Sequence, residues 1–290
     1  MREPAGPEEV LAQARRVAAA AAARAEVEVR DLHELGELRS LTELFDRTWA
    51  SDRGSYLPLN LLRALTHAGG HASAALDGGR IVGGLFGFLG FHEGELALHS
   101  HLLAVAAEAR GRGIGYVLKL HQRAWSLERG IQVVTWTFDP LVSRNCYLNL
   151  TRLGAEAARY LPHFYGDLAD AINAGDESDR ILAVWRLAGG RATAAAGGAR
   201  LDEAALAGAA PIETALAVGP GDRPLAAAPQ GAATVLCQVP ADIEAIRRRD
   251  PALALAWRRA LREALVGALA SGYRVEAFLR SGHYVLRRPG

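Results

Sequence analysis

The sequence predicts an α/β fold built on a mixed, mostly antiparallel sheet, with a smaller α/β unit at its C-terminal end. Three observations predict it. Apolar runs separated by turn signals at Asp77-Gly78-Gly79 and Glu93-Gly94 read as an antiparallel meander. The last of these runs, Leu98 to Val105, leads through Ala106 to Ala109 into a glycine-rich turn, Arg110 to Gly115, that opens into a helix. The buried-strand run Ile131 to Phe138 after that helix completes a parallel crossover. Finally, 290 residues, 50% of them hydrophobic, exceed one module of about 100 to 150 residues, so two cores are expected.

Taken in order, residues 8–25 are rich in Ala, Glu and Arg and predict an exposed or loosely docked N-terminal helix. Glu26 to Arg30 alternate Val with charge as a short strand does. Leu35, Leu38, Leu41, Leu44 and Phe45 recur at helical spacing between Leu32 and Trp49. A turn at Asp52-Arg53-Gly54 precedes a second helix, opened by Pro58 and closed by Gly69-Gly70. After the meander, Ile114, Val117, Leu118, Leu120, Ala124 and Leu127 form the apolar face of the crossover helix, which stops at Gly130. Asp139-Pro140 reads as an N-cap and first helical position, with the helix running to Leu153 and stopping at Gly154. Ala155 to Tyr165 and Arg180 to Leu187 are closing strands around the polar loop Asn173 to Asp179.

Residues 189–232 are dominated by Ala, Gly and Pro and read as a linker with one short helix. A second unit follows over 233–290: a strand at Thr234 to Val239, a helix capped by Asp250-Pro251 and ended by Gly272, and a hairpin around Ser281-Gly282. Its core is thin, so it is expected to dock on the first domain or on a second copy of the chain as a homodimer.

The glycine-rich turn is where chemistry is expected. Successive backbone N–H groups in such a turn converge on an anion, with the positive end of the helix dipole behind them. The spelling excludes a Walker loop, because Tyr116 and Val117 follow Gly115 where Lys and Ser or Thr are needed. It also fits a dinucleotide fingerprint poorly. The bland reading is a turn between a core strand and a core helix.

The segment resembles the acyl-CoA-binding motif of the GNAT acyltransferase superfamily, with Arg110, Gly113 and Gly115 at its defining places. The element order matches as well. The helix ends in Leu153-Gly154-Ala155 where members usually show Leu-Gly-Phe, and the resemblance covers residues 26–188. It implies an N-terminal extension over 1–25, a GNAT-like domain over 26–188 and a splayed parallel strand pair. It implies acetyl-CoA or another acyl-CoA as co-substrate. The pantetheine arm would bond to the backbone at Leu103, Ala104 and Val105. The pyrophosphate would meet the amides of Arg110, Gly111, Arg112, Gly113, Ile114 and Gly115, with charge from Arg110 and Arg112. Ser143 takes the place of the usual pantetheine-contacting Asn, with Asn145 nearby. Many members carry a tyrosine acid where this chain has Leu150; Tyr147 reaches a similar place only if the helix is shifted.

Transfer to an amine needs a group that takes the amine proton. His99 stands where many members keep a carboxylate base, with His101 on the same side of the strand. An unperturbed pKa near 6.5 suits that work, and the competing reading is a hydrogen-bonded core histidine. Glu95 is a reserve base that also reads as a surface turn residue. Cys146 reads as packing. The implied activity is N-acyl transfer, acetyl by default, succinyl or another acyl group alternatively, to a small amine such as an amino acid or related metabolite, within a ternary complex. The alternatives are a non-catalytic acyl-CoA-binding regulatory or assembly module, or an acyl-CoA decarboxylase or hydrolase.

Composition narrows the partners. With 33 basic and 32 acidic residues, the net charge of +1 gives no field favouring nucleic acid or an anionic membrane. Cys146 and Cys237 have no metal-ligand spacing, so no disulfide framework and no metal are expected. The charged start Met1 to Pro4 and the short alanine run Ala18 to Ala23 offer no signal core or membrane span, so a soluble cytoplasmic protein is expected. Lys119, the sole lysine, reads as compositional bias.

Overall fold

A computed structural model describes residues 6–49, 54–166, 176–199 and 211–288. Met1 to Pro4, Asp52-Arg53 and the start of the loop at Asn173 to Gly175 lie outside the described residues, as does 200–210 of the expected linker. The chain divides into two compact units, Met1–Trp136 with Trp185–Gly197 and Thr137–Val184 with Gly198–Gly290. Two of the three division points fall inside strands, β5 (Val133–Phe138) and β7 (Arg180–Arg186), and the third falls between Gly197 and Gly198, just after the helix Gly190–Ala196.

In the first unit the strands run β1 (Glu28–Asp31), β2 (His71–Asp77), β3 (Arg80–His92), β4 (Glu95–Val105) and β5, side by side in that order. The first four pair antiparallel, and β4 pairs β5 parallel. Helices α2 (Leu35–Thr48) and α3 (Leu59–His67) bury Leu38, Leu41, Leu44, Phe45 and Leu62 against Ala72, Ala74, Phe86 and Leu102 of the sheet. Helix α4 (Ile114–Glu128) packs Ile114 and Leu118 against Ala75, Val82 and Leu85. Gly83 and Gly84 permit this double cover: a Cβ on Gly83 would stand 2.5 Å from Ile114 Cγ2, and one on Gly84 would collide with Leu41.

The N-terminal helix α1 (Pro7–Arg24) is docked, not exposed: Val10, Ala14 and Ala21 are buried, and Ala21 packs with Val117 and Leu120 of α4. Its Gln13 side chain also donates to Thr193 O at 3.2 Å, and its carbonyl accepts from the buried Arg123 guanidinium at 3.3 Å. Alanine makes this possible, because small side chains let two helices approach closely.

In the second unit, β6 (Glu156–Leu161) pairs antiparallel with β7, and a five-stranded sheet runs β11 (Arg274–Phe278), β12 (His283–Arg287), β10 (Thr234–Gln238), β8 (Ile212–Val218), β9 (Pro224–Ala226). The expected strand, helix and hairpin are all present. The linker expectation fails in part: a short helix does occupy Gly190–Ala196, but β8 and β9 follow it and enter the sheet, β8 parallel to β10. β8 is held between two neighbours, β10 parallel and β9 antiparallel, and carries Ile212, Thr214, Leu216 and Val218 at every second position. The helix Ile243–Arg249, capped by the Asp242 side chain on Ala245 N, was not expected; the long helix Pro251–Ala270 is capped as expected by Asp250 on Leu253 N at 3.0 Å.

The helix expected from Pro140 starts instead at Ser143 and passes at Tyr147 into π winding that lasts to Arg152. Asp139 is drawn away from capping. Its carboxylate accepts from Leu141 N at 2.9 Å, closing a turn, and pairs with the fully buried Arg258 at 2.8 Å and with Arg247 at 2.5 Å. Arg258 also meets Asp176 at 2.8 Å. Among the described residues no helix is long and apolar enough to cross a membrane.

Candidate functional site

Strand β4 carries the site because its pairing changes along its length. Its parallel ladder with β5 is confined to Ala97↔Val133, Leu98↔Val134 and His99↔Thr135, so beyond His99 the edge facing β5 is left without that partner. On the other edge β3 stays paired to Val105, with a bulge that leaves His101 between Gly87↔Ser100 and Phe86↔Leu102. Leu103, Ala104 and Val105 thus lie on the part of β4 that has parted from β5.

The glycine loop follows a short turn, Ala107–Ala109. Gly111 and Gly113 adopt φ of +83° and +79°, and Gly113 is the N-cap of α4 in the left-handed region. These angles suit glycine and turn consecutive amides the same way. The amide of Arg110 bonds to Ala107 O at 3.3 Å, while those of Gly111, Arg112, Gly113, Ile114 and Gly115 meet no acceptor among the described residues. No side chain caps α4, and a Cβ on Gly113 would meet nothing within 4 Å. The loop therefore offers a run of free donors, open space and the positive end of a helix dipole, which together fit a phosphate.

The two expected arginines behave differently. Arg110 is exposed and free to swing toward an anion. Arg112 is held elsewhere: it pairs with Asp77 at 2.7 Å and donates to the carbonyls of Ala25 at 2.9 Å and Glu26 at 3.3 Å. It ties the loop to the scaffold.

His99 is half-buried, and its Nδ1 lies 3.1 Å from Thr135 Oγ1. Its ring stands 5.2 Å from that of Phe88 and 6.1 Å from that of the exposed His101. Burial, aided by the neighbouring His101 and Lys119, lowers its pKa to about 4, well below the 6.5 expected for a free imidazole. The ring is neutral at pH 7. Glu95 lies opposite His92 at the hairpin end of β4, exposed, four residues or about 13 Å along the strand from His99. That is a turn position.

Sequence reasoning passed over Lys119. Its side chain is 4% exposed and its Nζ donates to Ser100 Oγ at 2.7 Å and Gln122 Oε1 at 3.3 Å, above the Trp136 ring at 3.8 Å. Burial holds its pKa well below the ordinary ammonium range. The one available signal was its being the sole lysine among so many arginines.

Ser143, Asn145 and Tyr147 belong to the second unit, where Ser143 opens the short helix and Tyr147 opens the π segment with its ring 5.0 Å from the Arg280 guanidinium. Leu150 is 2% exposed. Cys146 is packing, as expected: it is buried, its sulfur lies 3.0 Å from Tyr284 Oη, and burial raises its pKa far above the thiol range.

Among solved structures the chain is similar to an N-acetyltransferase from Staphylococcus aureus Mu50, at 12% identity over 56% of this chain and 98% of that one, with a TM-score of 0.43. It is also similar to the ribosomal-protein-S18-alanine N-acetyltransferase of Escherichia coli, at 12% identity over 56% and 94% of the two chains, TM-score 0.44. A third is an aminoglycoside acetyltransferase from an uncultured soil metagenomic sample, at 22% identity over 39% and 78%, TM-score 0.36. No curated protein matches the chain. The family model of the acetyltransferase (GNAT) family matches residues 38–150, a span that contains the meander, the glycine loop, α4 and β5. Residues 38–150 of this chain are accordingly an acetyltransferase domain of the GNAT family.

Proposed function

We propose that the protein transfers an acyl group from an acyl-CoA, acetyl by default, to the amine of a small acceptor such as an amino acid or related metabolite. The observation that carries this reading is the run of acceptor-free amides from Gly111 to Gly115 at the start of α4, directly after the part of β4 that has left β5. In this reading those amides hold the pyrophosphate, Arg110 adds charge, and Leu103, Ala104 and Val105 bond the pantetheine arm. Ser143 and Asn145 stay candidates for pantetheine contact.

His99 has the chemistry of a relay. A neutral imidazole accepts a proton from the attacking amine, directly or through water, but one with a pKa of about 4 does not keep it at pH 7 and passes it to solvent, with the exposed His101 beside it as the next carrier. The amine nitrogen bonds to the thioester carbonyl, the C–S bond breaks, and the departing thiolate takes a proton from Tyr147 or from water. The two free, buried cysteines support a cytoplasmic setting.

One observation favours a second reading, a module that binds acyl-CoA without transfer: Leu150 is buried where many members place the tyrosine acid. A thiol-release assay over a panel of acyl-CoAs and small amines separates the readings. Amine-dependent thiol release is the expected result. CoA binding with no turnover for any pair would leave the binding module, and free acid or carbon dioxide without an acceptor would point to hydrolysis or decarboxylation.

A further inference from the structure

Away from the glycine loop, three residues far apart in the chain come together in the first unit. Asp31 ends β1, His71 begins β2, and His121 lies on α4. Asp31 Oδ1 lies 3.2 Å from His71 Nε2 and 2.7 Å from His121 Nε2, and the three side chains each offer a ligand atom within 4.8 Å of the others. In a tetrahedral site with metal bonds of about 2.0 Å, neighbouring ligand atoms stand about 3.3 Å apart, so small side-chain shifts suffice to seat an ion.

The surroundings have the other properties of a metal site. The His71 ring is 1% exposed and clamped by stacking on Trp125, with centroids 4.3 Å apart. Its Nε2 faces the Asp31 carboxylate, and its Nδ1 is buried without a hydrogen-bond partner. Asp31 and His121 are each about a quarter exposed, and both line a cavity of about 300 Å³ whose wall also includes Arg15, Val29, Trp125 and Glu128. The cavity supplies an entry path and a place for a further ligand. Two imidazoles and one carboxylate with an open position form a donor set for a divalent first-row transition metal.

We propose that Asp31, His71 and His121 bind a divalent transition-metal ion of the zinc class, with its open coordination position facing the cavity. In the loaded site each imidazole would ligate through Nε2 and carry its proton on Nδ1. The ion would join β1, β2 and the middle of α4, whose N-terminus is the glycine loop. The proposal does not depend on the acyl-transfer reading.

The test uses the full chain without a histidine tag, stripped with a chelator and titrated with Zn²⁺ alone in a calorimeter, then with Co²⁺ in a visible spectrometer. One ion per chain with a Kd of about 1 μM or tighter is expected. A rise in melting temperature and Co²⁺ bands of a low-coordinate site should accompany it. His121→Ala should weaken binding by at least about 100-fold, while His163→Ala, an exposed histidine of the second unit, should leave it unchanged. If His121→Ala does not fold, Asp31→Asn keeps the size and a hydrogen-bonding side chain and should show the same loss. Absence of saturable binding, or affinity that survives His121→Ala and Asp31→Asn, would overturn the proposal.

Discussion

His99 Nδ1 lies 3.1 Å from the hydroxyl of Thr135 at the last register pair before β4 and β5 part. The place where the sheet opens is therefore also where an imidazole is oriented. If His99 relays the amine proton, His99→Gln should keep CoA affinity and lower turnover by roughly 10² to 10⁴ fold. Its acid limb in the rate profile should lie near pH 4 rather than 6.5, because the folded protein resists protonating it. The unfolded chain takes that proton near pH 6.5 and the folded chain near 4, so stability is full above 6.5 and declines as pH falls through this window. His99→Gln should remove that decline, worth at most about 3 kcal/mol, which denaturant melts at pH 7 and pH 4.5 would measure. A stable variant with near-normal turnover eliminates His99 as the relay.

In the glycine loop, Gly113→Asp brings a carboxylate to the proposed pyrophosphate site, and CoA affinity should fall at least tenfold, about 1.4 kcal/mol. Gly113→Ala pays only for a φ of +79° in a space where its Cβ meets nothing, so calorimetry on both variants separates charge from strain. Arg110→Ala should weaken CoA binding several-fold. Arg112→Ala, which breaks the contacts to Asp77 and to the Ala25 and Glu26 carbonyls, should lower the melting temperature with little change in CoA affinity. Equal effects of the two arginines on CoA would contradict this division.

Lys119 gives a probe of unit opening, since it is the chain's sole lysine and is buried. An amine-selective reagent should modify it only as fast as the first unit opens, so labelling read by mass spectrometry should accelerate in step with denaturant. Rapid labelling of the native protein would mean that the amine is reachable. Lys119→Met, close in volume, should change stability by less than about 2 kcal/mol despite the lost hydrogen bonds.

In the second unit, Arg247 and Arg258 both bridge Asp139 and Asp176, and Arg258→Met removes the fully buried one of these two guanidiniums. An uncompensated buried carboxylate is expensive, so a loss of about 3 to 5 kcal/mol is expected in denaturant unfolding. A loss below about 1 kcal/mol would show that Arg247 alone satisfies the cluster.

What the sequence determined by itself is local. The hairpin at Asp77-Gly78-Gly79, the caps at Asp242 and Asp250 and the positive φ of Gly111 and Gly113 depend on a few neighbouring residues, so element order and the anion loop were largely legible, although the Asp242 cap and its helix went unread. Tertiary structure decided what depends on distant neighbours. Burial turned the imidazole of His99 from a base poised near neutrality into one of pKa about 4. Asp77 and two carbonyls near the end of α1 captured Arg112, and β10 and β9 hold Ile212–Val218 between them. Asp31 and His121 meet across 90 positions of chain, and no local spacing encodes that contact. Desolvation and charge act through space, so the chemistry of these groups was set only when the fold brought their neighbours to them.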